Sequence, residues 1–562
     1  MEMTKTNEKK GRGLELLIFG IYAITLILIS CFHEPWYDEA EAWQMSKASL
    51  KDILFYIPHY EGHPALWYLI LSVPAKLGVP YEIGLKAVAN VAALIYGYLL
   101  MFKSPFPKVI RYSLPFHYFF FYQYGIVSRP YCLMVLCFFL MAMAFKNRNE
   151  KPFRFLIPMA FLCALSGYGI VLAGGICIAW VLEICMEKQW KFFTLSFWKD
   201  RRILGLFLLL AVAVLIILEI MPRPDTYATS RQASNGFGTR LIYTLFMMLP
   251  DSTVITVLEG AAYLNRAHIG IGMLIIGSLV GICLDLALIL FASKKNLKYF
   301  VIPYVLFSVF AACVFLLAHH IGLSLVFVVF WLWIAFEDPE KLWLFTKLKA
   351  KVKLAEGDAK TLKKAGWFAI ALLLLIPFYW TAGASFLDVT QPYYYGREVA
   401  NFLKNTGLSE LKIMGGFDTS VPAVLDEGED LAKYVNTELV ARPVAVMAYF
   451  DHNLCLNLNM GRDDAAYALH RIPSADENRE TIMAWREMGK PDVIIDEEGM
   501  WILLGNKTFQ EEYAAVYEYQ PYMHIWKAFP SKYNIVYKGY VYLRKDLLSK
   551  YGLTAIEVNG GY

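Results

Sequence analysis

The sequence predicts an α-helical protein that crosses a membrane about eleven times and ends in a soluble α/β domain. Of its 562 residues, 57% are hydrophobic and only 18% are charged, whereas soluble domains average about 45–50% and about 25%. Several apolar runs approach the roughly 20 residues that a helix needs to cross a bilayer. The last part of the chain, residues 388–562, instead alternates helical patterns with short β-type runs. A single soluble domain is therefore excluded.

Positive charges set the predicted orientation. Lys5, Lys9, Lys10 and Arg12 precede the first span, which places the amino terminus in the cytoplasm, because short cytoplasmic segments are enriched in Lys and Arg. Later basic loops then also fall on the cytoplasmic side. We predict a multi-pass protein of the cell membrane, with a membrane module over residues 1–387 and residues 388–562 outside. The predicted spans are 14–31, 83–102, 112–125, 127–145, 155–167, 169–186, 203–221, 269–291, 299–318, 321–336 and 366–387.

Two apolar segments are not counted as spans. Residues 65–74, inside the long outer loop 32–82, stop at a proline after ten residues, which is too short to cross, so they are predicted to form a helix at the membrane interface. Residues 241–258 are assigned to an outer loop. Counting them as a span would move the basic residues 294, 295 and 298 to the outside, against the positive-inside rule.

The tail is predicted to be an α/β domain that covers the outer face. Helical patterns occur at 396–408 and 480–489, and β-type runs at 411–416, 443–450, 491–497 and 534–543. No GxGxxG spacing is present, so no nucleotide site is predicted.

Charge and cysteine usage exclude other classes. The net charge is only +4, and the basic residues form short clusters between apolar runs instead of one face, so nucleic acid is not a predicted partner. Eight of the nine cysteines lie in or beside apolar runs and no CxxC pair occurs. Neither a disulfide framework nor a zinc site follows.

The first outer loop concentrates acidic residues just beyond the first span. Asp38, Glu39 and Glu41 fall within four positions. Carboxylates at a membrane surface cost free energy unless they are hydrated, paired with a cation or needed for binding or catalysis. A structural alternative is open, because Asp38 followed by Glu41 matches a helix capping box. The same loop contains His63 before Pro64 and an apolar helix; a histidine in such a turn also has a structural alternative.

Polar residues recur at the same predicted depth elsewhere. Ser128, Arg129 and Tyr131 lie at the outer start of the fourth span, and His319 and His320 lie between the ninth and tenth spans. Arg129 offers a planar fork suited to phosphate. The alternatives are that Arg129 reaches lipid head groups and that the two histidines are solvated at the interface.

Together these stretches resemble membrane glycosyltransferases of the GT-C fold, the class that includes protein O-mannosyltransferases and the aminoarabinose transferases acting on lipid A. An Asp-Glu pair after the first span, a His-Pro-apolar helix in the same loop, about eleven spans and an outer carboxy-terminal domain are shared features. The Ser-Arg-Pro-Tyr stretch at 128–131 is similar to the Ser-Arg-x-Tyr of bacterial members. The chain departs from the class at His319-His320-Ile321-Gly322, where relatives often have Arg-His-x-Gly.

The resemblance implies an inverting transferase that moves a sugar from a polyprenyl-phosphate donor to a glycan, lipid or protein acceptor outside the membrane. Asp38 would be the general base, and Glu39 would orient the acceptor or stabilise the transition state. His63, Arg129, Tyr131, His319 and His320 would contact the substrate, with Arg129 and the histidine pair on the donor phosphate. Some branches of the class use a divalent cation and others do not, and residue spacing does not decide between them, so no metal ion is predicted.

Two rival functions follow from the same sequence. A transporter or lipid flippase is the first, although such proteins commonly have inverted repeats and functional ions at the midplane of the bilayer, and neither pattern is found here. A non-catalytic assembly protein of the cell envelope is the second, in which the tail binds a partner and the loop acids are helix caps.

Overall fold

We describe the protein from a computed structural model. The described residues are 2–191, 194–226, 235–255, 269–314, 316–352, 356–415, 443–455, 489–496, 507–523, 535–536 and 538–558, with scattered positions between 467 and 487. The fold is mostly helical and has a few strands near the carboxy terminus.

The first half of the chain is made of helices joined by short turns. In chain order they are α1 (Glu2–Phe32), α2 (Tyr37–Lys47), α3 (Leu50–Phe55), α4 (Pro58–Glu61), α5 (Leu66–Lys76), α6 (Tyr81–Lys103), α7 (Lys108–Ser113), α8 (Tyr131–Phe145), α9 (Pro152–Leu165), α10 (Gly167–Glu187), α11 (Leu195–Trp198) and α12 (Arg201–Glu219).

The second half continues with helices and adds the strands. They are α13 (Phe237–Ile242), α14 (Met248–Asp251), α15 (Ile271–Phe291), α16 (Leu297–Cys313), α17 (Gly322–Glu337), α18 (Trp343–Val352), α19 (Glu356–Thr390), α20 (Gly396–Thr406), β1 (Ile413–Gly415), α21 (Val444–Met447), β2 (Val493–Asp496), α22 (Lys507–Glu512), β3 (Tyr513–Tyr519), β4 (Tyr522–Met523), β5 (Ile535–Val536), β6 (Gly539–Arg544) and α23 (Leu548–Tyr551).

Among the described residues, seven helical stretches are long and apolar enough to cross a membrane. They are Gly13–Phe32, Tyr81–Lys103, Gly167–Glu187, Arg201–Glu219, Ile271–Phe291, Ala318–Glu337 and Lys364–Thr390. Four further apolar helices, α5, α8, α9 and α16, are shorter. The break predicted between the spans 155–167 and 169–186 is confirmed, because α9 ends at Leu165 and α10 begins at Gly167. The Ser166 hydroxyl accepts a hydrogen bond from the backbone N–H of Tyr168 and caps α10.

The predicted continuous span at 112–125 is wrong. The chain there is broken into the end of α7, a 3₁₀ turn at Leu114–Phe116 and a π-helical turn at Phe119–Gln123. Pro115 lies in the 3₁₀ turn and cannot donate a backbone hydrogen bond, so the regular helical ladder is interrupted. This break directs the following turn, residues 127–130, towards α2.

Helix α17 lies at the centre of the helical bundle. Its residues 322–331 are all buried, and it contacts α8, which in turn packs against α6 and α9. Helices α1 and α15 are at the periphery, since most of their apolar side chains are exposed. The chain enters α17 through His319 and His320, so the most buried helix begins at two of the predicted site residues.

Residues 241–255, the described part of the segment that was assigned to an outer loop, are not among the membrane-length helices, and most of them are helical. Helix α13, a π-helical turn at Tyr243–Met247 and helix α14 pack against α15 and α16. Close packing is possible because α15 has glycines at the contact: a Cβ atom at Gly281 would overlap the carbonyl oxygen of Phe246. Backbone carbonyls of this segment accept hydrogen bonds from Tyr304 and Ser308 on α16.

The described tail contains a four-stranded sheet with the order β1-β2-β6-β3, in which β1 and β2 are parallel and the other neighbours are antiparallel. Strands near 411–416, 491–497 and 534–543 are therefore confirmed, as is the helix at 396–408. The strand predicted at 443–450 is wrong, because Val444–Met447 is a helix that follows Pro443. Most of 480–489 lies outside the described residues.

Charged side chains attach the start of the tail to the helices. The Arg397 guanidinium on α20 bonds the Glu82 carboxylate on α6, with Nη2 to Oε2 2.6 Å and Nε to Oε1 2.8 Å. The Arg397 backbone N–H donates to Glu34 Oε1 at 2.6 Å. Lys86 Nζ also pairs with Glu82 Oε2, so this carboxylate is held by two cations.

Replacing Gly281 with alanine should destabilise the packing of α15 against the segment 237–251. The added methyl group has no room beside the Phe246 carbonyl, and such overpacking costs about 1–3 kcal/mol. The measurement is the apparent melting temperature in detergent. Gly272→Ala is the matched control, because no atom lies within 4 Å of a Cβ at that position. Equal melting temperatures for the two variants would contradict the close contact.

Candidate functional site

Asp38 and Arg129 form an ion pair at the start of two helices. Asp38 is in the first turn of α2, and Arg129 is in the turn before α8. Arg129 Nη2 lies 3.4 Å from Asp38 Oδ2, and Nη1 donates to the Asp38 backbone carbonyl at 2.9 Å. The side chains are only 28% and 14% exposed. Arg129 therefore faces the loop acid and does not extend to lipid head groups.

Glu39 is the residue that joins these two elements. Its side chain is fully buried, and it accepts hydrogen bonds from the backbone N–H of Trp36 at 3.1 Å and of Ser128 at 2.6 Å. The first bond caps α2, so the predicted capping box of Asp38 and Glu41 is wrong: the helix begins at Tyr37, and Glu39 bonds back to Trp36. The second bond holds the turn that carries Arg129.

His33 extends this connection to two long helices. Its Nε2 lies 3.2 Å from Glu39 Oε2 and its Nδ1 lies 3.1 Å from Asp388 Oδ2, so the ends of α1 and α19 meet at one imidazole. Burial alone would lower the pKa of His33, but the Asp388 and Glu39 carboxylates raise it to about 9. His33 is therefore cationic at neutral pH, and both ring N–H groups donate.

The two predicted histidines lie beside Tyr131. His319 and His320 form a 3₁₀ turn before α17 and are only 5% and 3% exposed, so they are not solvated at an interface. Their rings lie 5.9 Å and 5.6 Å from the Tyr131 ring. The backbone N–H of Leu317 donates to His320 Nδ1 at 3.1 Å, and the Tyr124 hydroxyl donates to the His319 carbonyl at 2.7 Å.

His63 belongs to the same group. Burial lowers its pKa to about 4, and the nearby positive charge of Arg129 adds to this shift, so the imidazole is neutral at pH 7. Three buried nitrogens of the group have no hydrogen-bond partner among the described residues: His63 Nδ1, Arg129 Nε and Trp36 Nε1. Buried polar atoms normally have partners, so these atoms are available to a bound molecule.

Three residues of this region were not predicted as site residues. Glu61 lies beside His470 of the tail, with Oε1 to Nδ1 3.1 Å, and Glu41 accepts a hydrogen bond from the Tyr37 hydroxyl at 3.1 Å. Burial raises the pKa of Glu41, and the neighbouring Glu61 raises it further. The only indication in the sequence that Glu61 belongs to the site was its position two residues before His63. Nothing in the sequence indicated His470.

The pKa of Asp38 reflects these neighbours. Burial raises it, Arg129 opposes that shift, and Glu61 and Glu39 add to it. The result is a carboxylate with a pKa above its ordinary value that is still partly accessible. Such a group accepts a proton more readily than a free aspartate does.

The tail also contacts the rim of the site. The Thr226 hydroxyl donates to the His470 carbonyl at 2.6 Å, and Arg471 Nε lies 2.8 Å from Asp225 Oδ2. These contacts join the described part of the tail to the loop after α12.

The residues present do not fit a metal ion. Within the described ranges, no group of three or more His, Cys, Asp or Glu side chains has the arrangement of metal ligands. No step is therefore assigned to a metal.

The pH dependence of stability should report the charge on His33. Its pKa is about 9 in the fold and about 6.5 when unfolded. The protonated imidazole thus stabilises the fold fully below pH 6.5, and this contribution, on the order of 3 kcal/mol, is lost as the pH rises through about 9. The melting temperature of wild type should fall over this range more steeply than that of His33→Gln. Parallel profiles would contradict the assignment.

Comparison of the chain with protein families, with curated proteins and with solved structures found no match in any of the three. The function proposed below therefore rests on the geometry of the site.

Proposed function

We propose that the protein is a membrane glycosyltransferase of the GT-C type, which transfers a sugar with inversion from a polyprenyl phosphate to a hydroxyl group of a glycan, lipid or protein acceptor. The observation that carries the proposal is the pair of Asp38 and Arg129. A carboxylate with a raised pKa stands next to a guanidinium, and buried nitrogen atoms without partners surround them.

Asp38 is the general base of this mechanism. Its carboxylate is the partly exposed one of the adjacent acids, whereas the Glu39 side chain is completely buried. Asp38 takes the proton of the acceptor hydroxyl while the acceptor oxygen attacks the anomeric carbon from the face opposite the phosphate. The bond between that carbon and the phosphate oxygen breaks, and its electron pair leaves with the polyprenyl phosphate.

Arg129 and the imidazoles stabilise the leaving phosphate. A guanidinium binds phosphate oxygens through charge-assisted hydrogen bonds, and fixed donors inside a dry site stabilise developing charge more than water does. His63, His319 and His320 supply the imidazoles, and Tyr131 packs against the histidine pair. This division supports a donor side formed by these residues and an acceptor side formed by Asp38.

Glu39 is a positioning residue in this proposal. All of its bonds go to His33, Trp36 and Ser128, so its carboxylate sets the distance between α2 and the turn 127–130. That distance places Asp38 against Arg129. A direct contact of Glu39 with the acceptor is not needed to explain its burial.

The proposal places the site at the outer face of the cell membrane. The amino terminus would be cytoplasmic, the long apolar helices would cross the bilayer, and the tail would be outside over the acceptor side. The contact of His470 with Glu61 supports this position of the tail.

Asp38→Asn should abolish sugar transfer, because an amide cannot accept the proton. The assay uses the full-length protein in lipid with a panel of labelled polyprenyl-phosphate sugars and with glycan and lipid extracts as acceptors. Loss of a general base lowers the reaction rate about 10²–10⁴-fold. Asp52→Asn is the matched control, because this carboxylate lies in the same loop and accepts a hydrogen bond from the nearby Ser49 hydroxyl at 2.9 Å.

The rival functions give different outcomes in that assay. Transfer that persists in a folded Asp38→Asn variant would remove Asp38 as the base. Lipid translocation without sugar transfer, unchanged by Asp38→Asn, would identify a flippase, and tight binding of an envelope protein without either activity would identify an assembly role.

Arg129→Gln should weaken the affinity for the donor and should also shift the pH dependence of the rate. Loss of a charged hydrogen bond costs about 1.5–3 kcal/mol, which corresponds to a donor affinity roughly 10- to 150-fold lower. Arg129 also lowers the pKa of Asp38, so its removal should shift the acidic limb of the rate profile to higher pH. Measured donor affinity and the pH dependence of kcat/KM test this. An unchanged affinity together with an unchanged acidic limb would exclude Arg129 from the site.

A further inference from the structure

An apolar cavity lies between the helices, away from the residues of the candidate site. Its volume is about 220 Å³, and its walls come from α15, α17, α19, the segment 249–253 and the broken stretch 106–117. On α17 the lining runs from Leu325 to Phe336, about 16 Å along the helix at 1.5 Å per residue. His319 and His320 precede this helix and are not among the lining residues, so the cavity is separate from the proposed catalytic residues.

His117 contributes the one imidazole of the cavity wall. The side chain is buried, with 3% of the residue exposed. The backbone N–H of Phe119 lies 3.3 Å from His117 Nδ1. A backbone N–H can only donate, so Nδ1 accepts and carries no proton. The proton of the neutral ring is then on Nε2.

This Nε2–H group has no acceptor among the residues that the structure describes. A buried donor without an acceptor costs about 1–3 kcal/mol, and the remaining lining is almost entirely apolar. The occupant of lowest free energy is therefore an apolar molecule that brings one acceptor oxygen to His117.

The size of the cavity suits a hydrocarbon chain segment. An apolar cavity of about 150 Å³ binds benzene, so 220 Å³ has room for roughly nine carbon atoms by the same scale. The elongated lining along α17 fits a chain better than a compact ring system.

We infer that the cavity binds one acyl chain of a diacyl phospholipid, with the ester carbonyl accepting the His117 Nε2–H. A polyprenyl chain fits these observations less well, because it has no acceptor oxygen beyond its phosphate. The bound chain would fill the space between α17 and the segment 249–253. This inference does not depend on the proposed transferase activity.

The test uses the full-length protein in nanodiscs of phosphatidylcholine with a trace of phosphatidylglycerol that carries a diazirine in one acyl chain. Two probes differ only in the linkage of that chain, one an ester and one an ether without a carbonyl. After photolysis, labelled peptides are mapped by mass spectrometry. Wild type should label the cavity-lining peptides at least threefold more with the ester probe, and His117→Phe should remove this preference.

Two tryptophan variants on α15 control for the position of the label. Leu288→Trp fills the cavity and should reduce labelling of its walls at least fivefold, whereas Ile276→Trp, on the exposed side of the same helix, should leave it unchanged. Equal labelling by the two probes in wild type would overturn the bond to His117. Labelling that survives Leu288→Trp, or stronger labelling by a diazirine polyprenyl phosphate, would overturn the acyl-chain occupant.

Discussion

The buried carboxylate of Glu39 is the constraint on which the rest of the site depends. It bonds the start of α2, the turn before α8 and the imidazole of His33, and His33 continues to Asp388 at the end of α19. Four separate parts of the chain therefore meet at one chain of hydrogen bonds. Two buried carboxylates without a cation would be strongly unfavourable, but the protonated imidazole between them offsets this cost. These shared hydrogen bonds can define a single arrangement of the helix ends.

Asp38 and Glu39 are adjacent in sequence but have different physical roles. Consecutive residues of a helix point in directions about 100° apart, so Glu39 faces the buried turn 127–130 while Asp38 faces Arg129 and remains partly exposed. The Glu39 oxygens accept hydrogen bonds from within the fold, whereas Asp38 has a raised pKa and an accessible oxygen. This separation explains how a short acidic motif can both support the structure and supply a reactive group. The apolar cavity beside α17 differs from this acidic site, because its wall contains a single imidazole donor among apolar side chains.

Sequence reasoning succeeded where the pattern is local. Apolar runs flanked by basic residues located the long helices, and the predicted break between the fifth and sixth spans lies at Ser166, the residue that caps α10. It failed where tertiary contacts overrode the pattern. Val444–Met447 is buried on all sides, and uniform burial cannot distinguish a short strand from a helical turn. Segment 237–251 lacks the length of a span, and only the glycines of α15 allow it to pack against that helix. Strand β3 was missed, although its three tyrosines are typical of strands.

The sequence by itself determined that this is a helical protein with membrane-length apolar helices and that acids, histidines and an arginine stand at helix ends, because hydropathy and spacing are properties of neighbouring residues. It could not determine which of these polar groups meet. The sequence was compatible with Arg129 facing lipid and with a solvated histidine pair; the fold instead buries these residues. The contact of Glu61 with His470 forms only because distant segments converge there. Burial and partner choice depend on contacts between residues tens or hundreds of positions apart, and those contacts exist only once the helices have packed.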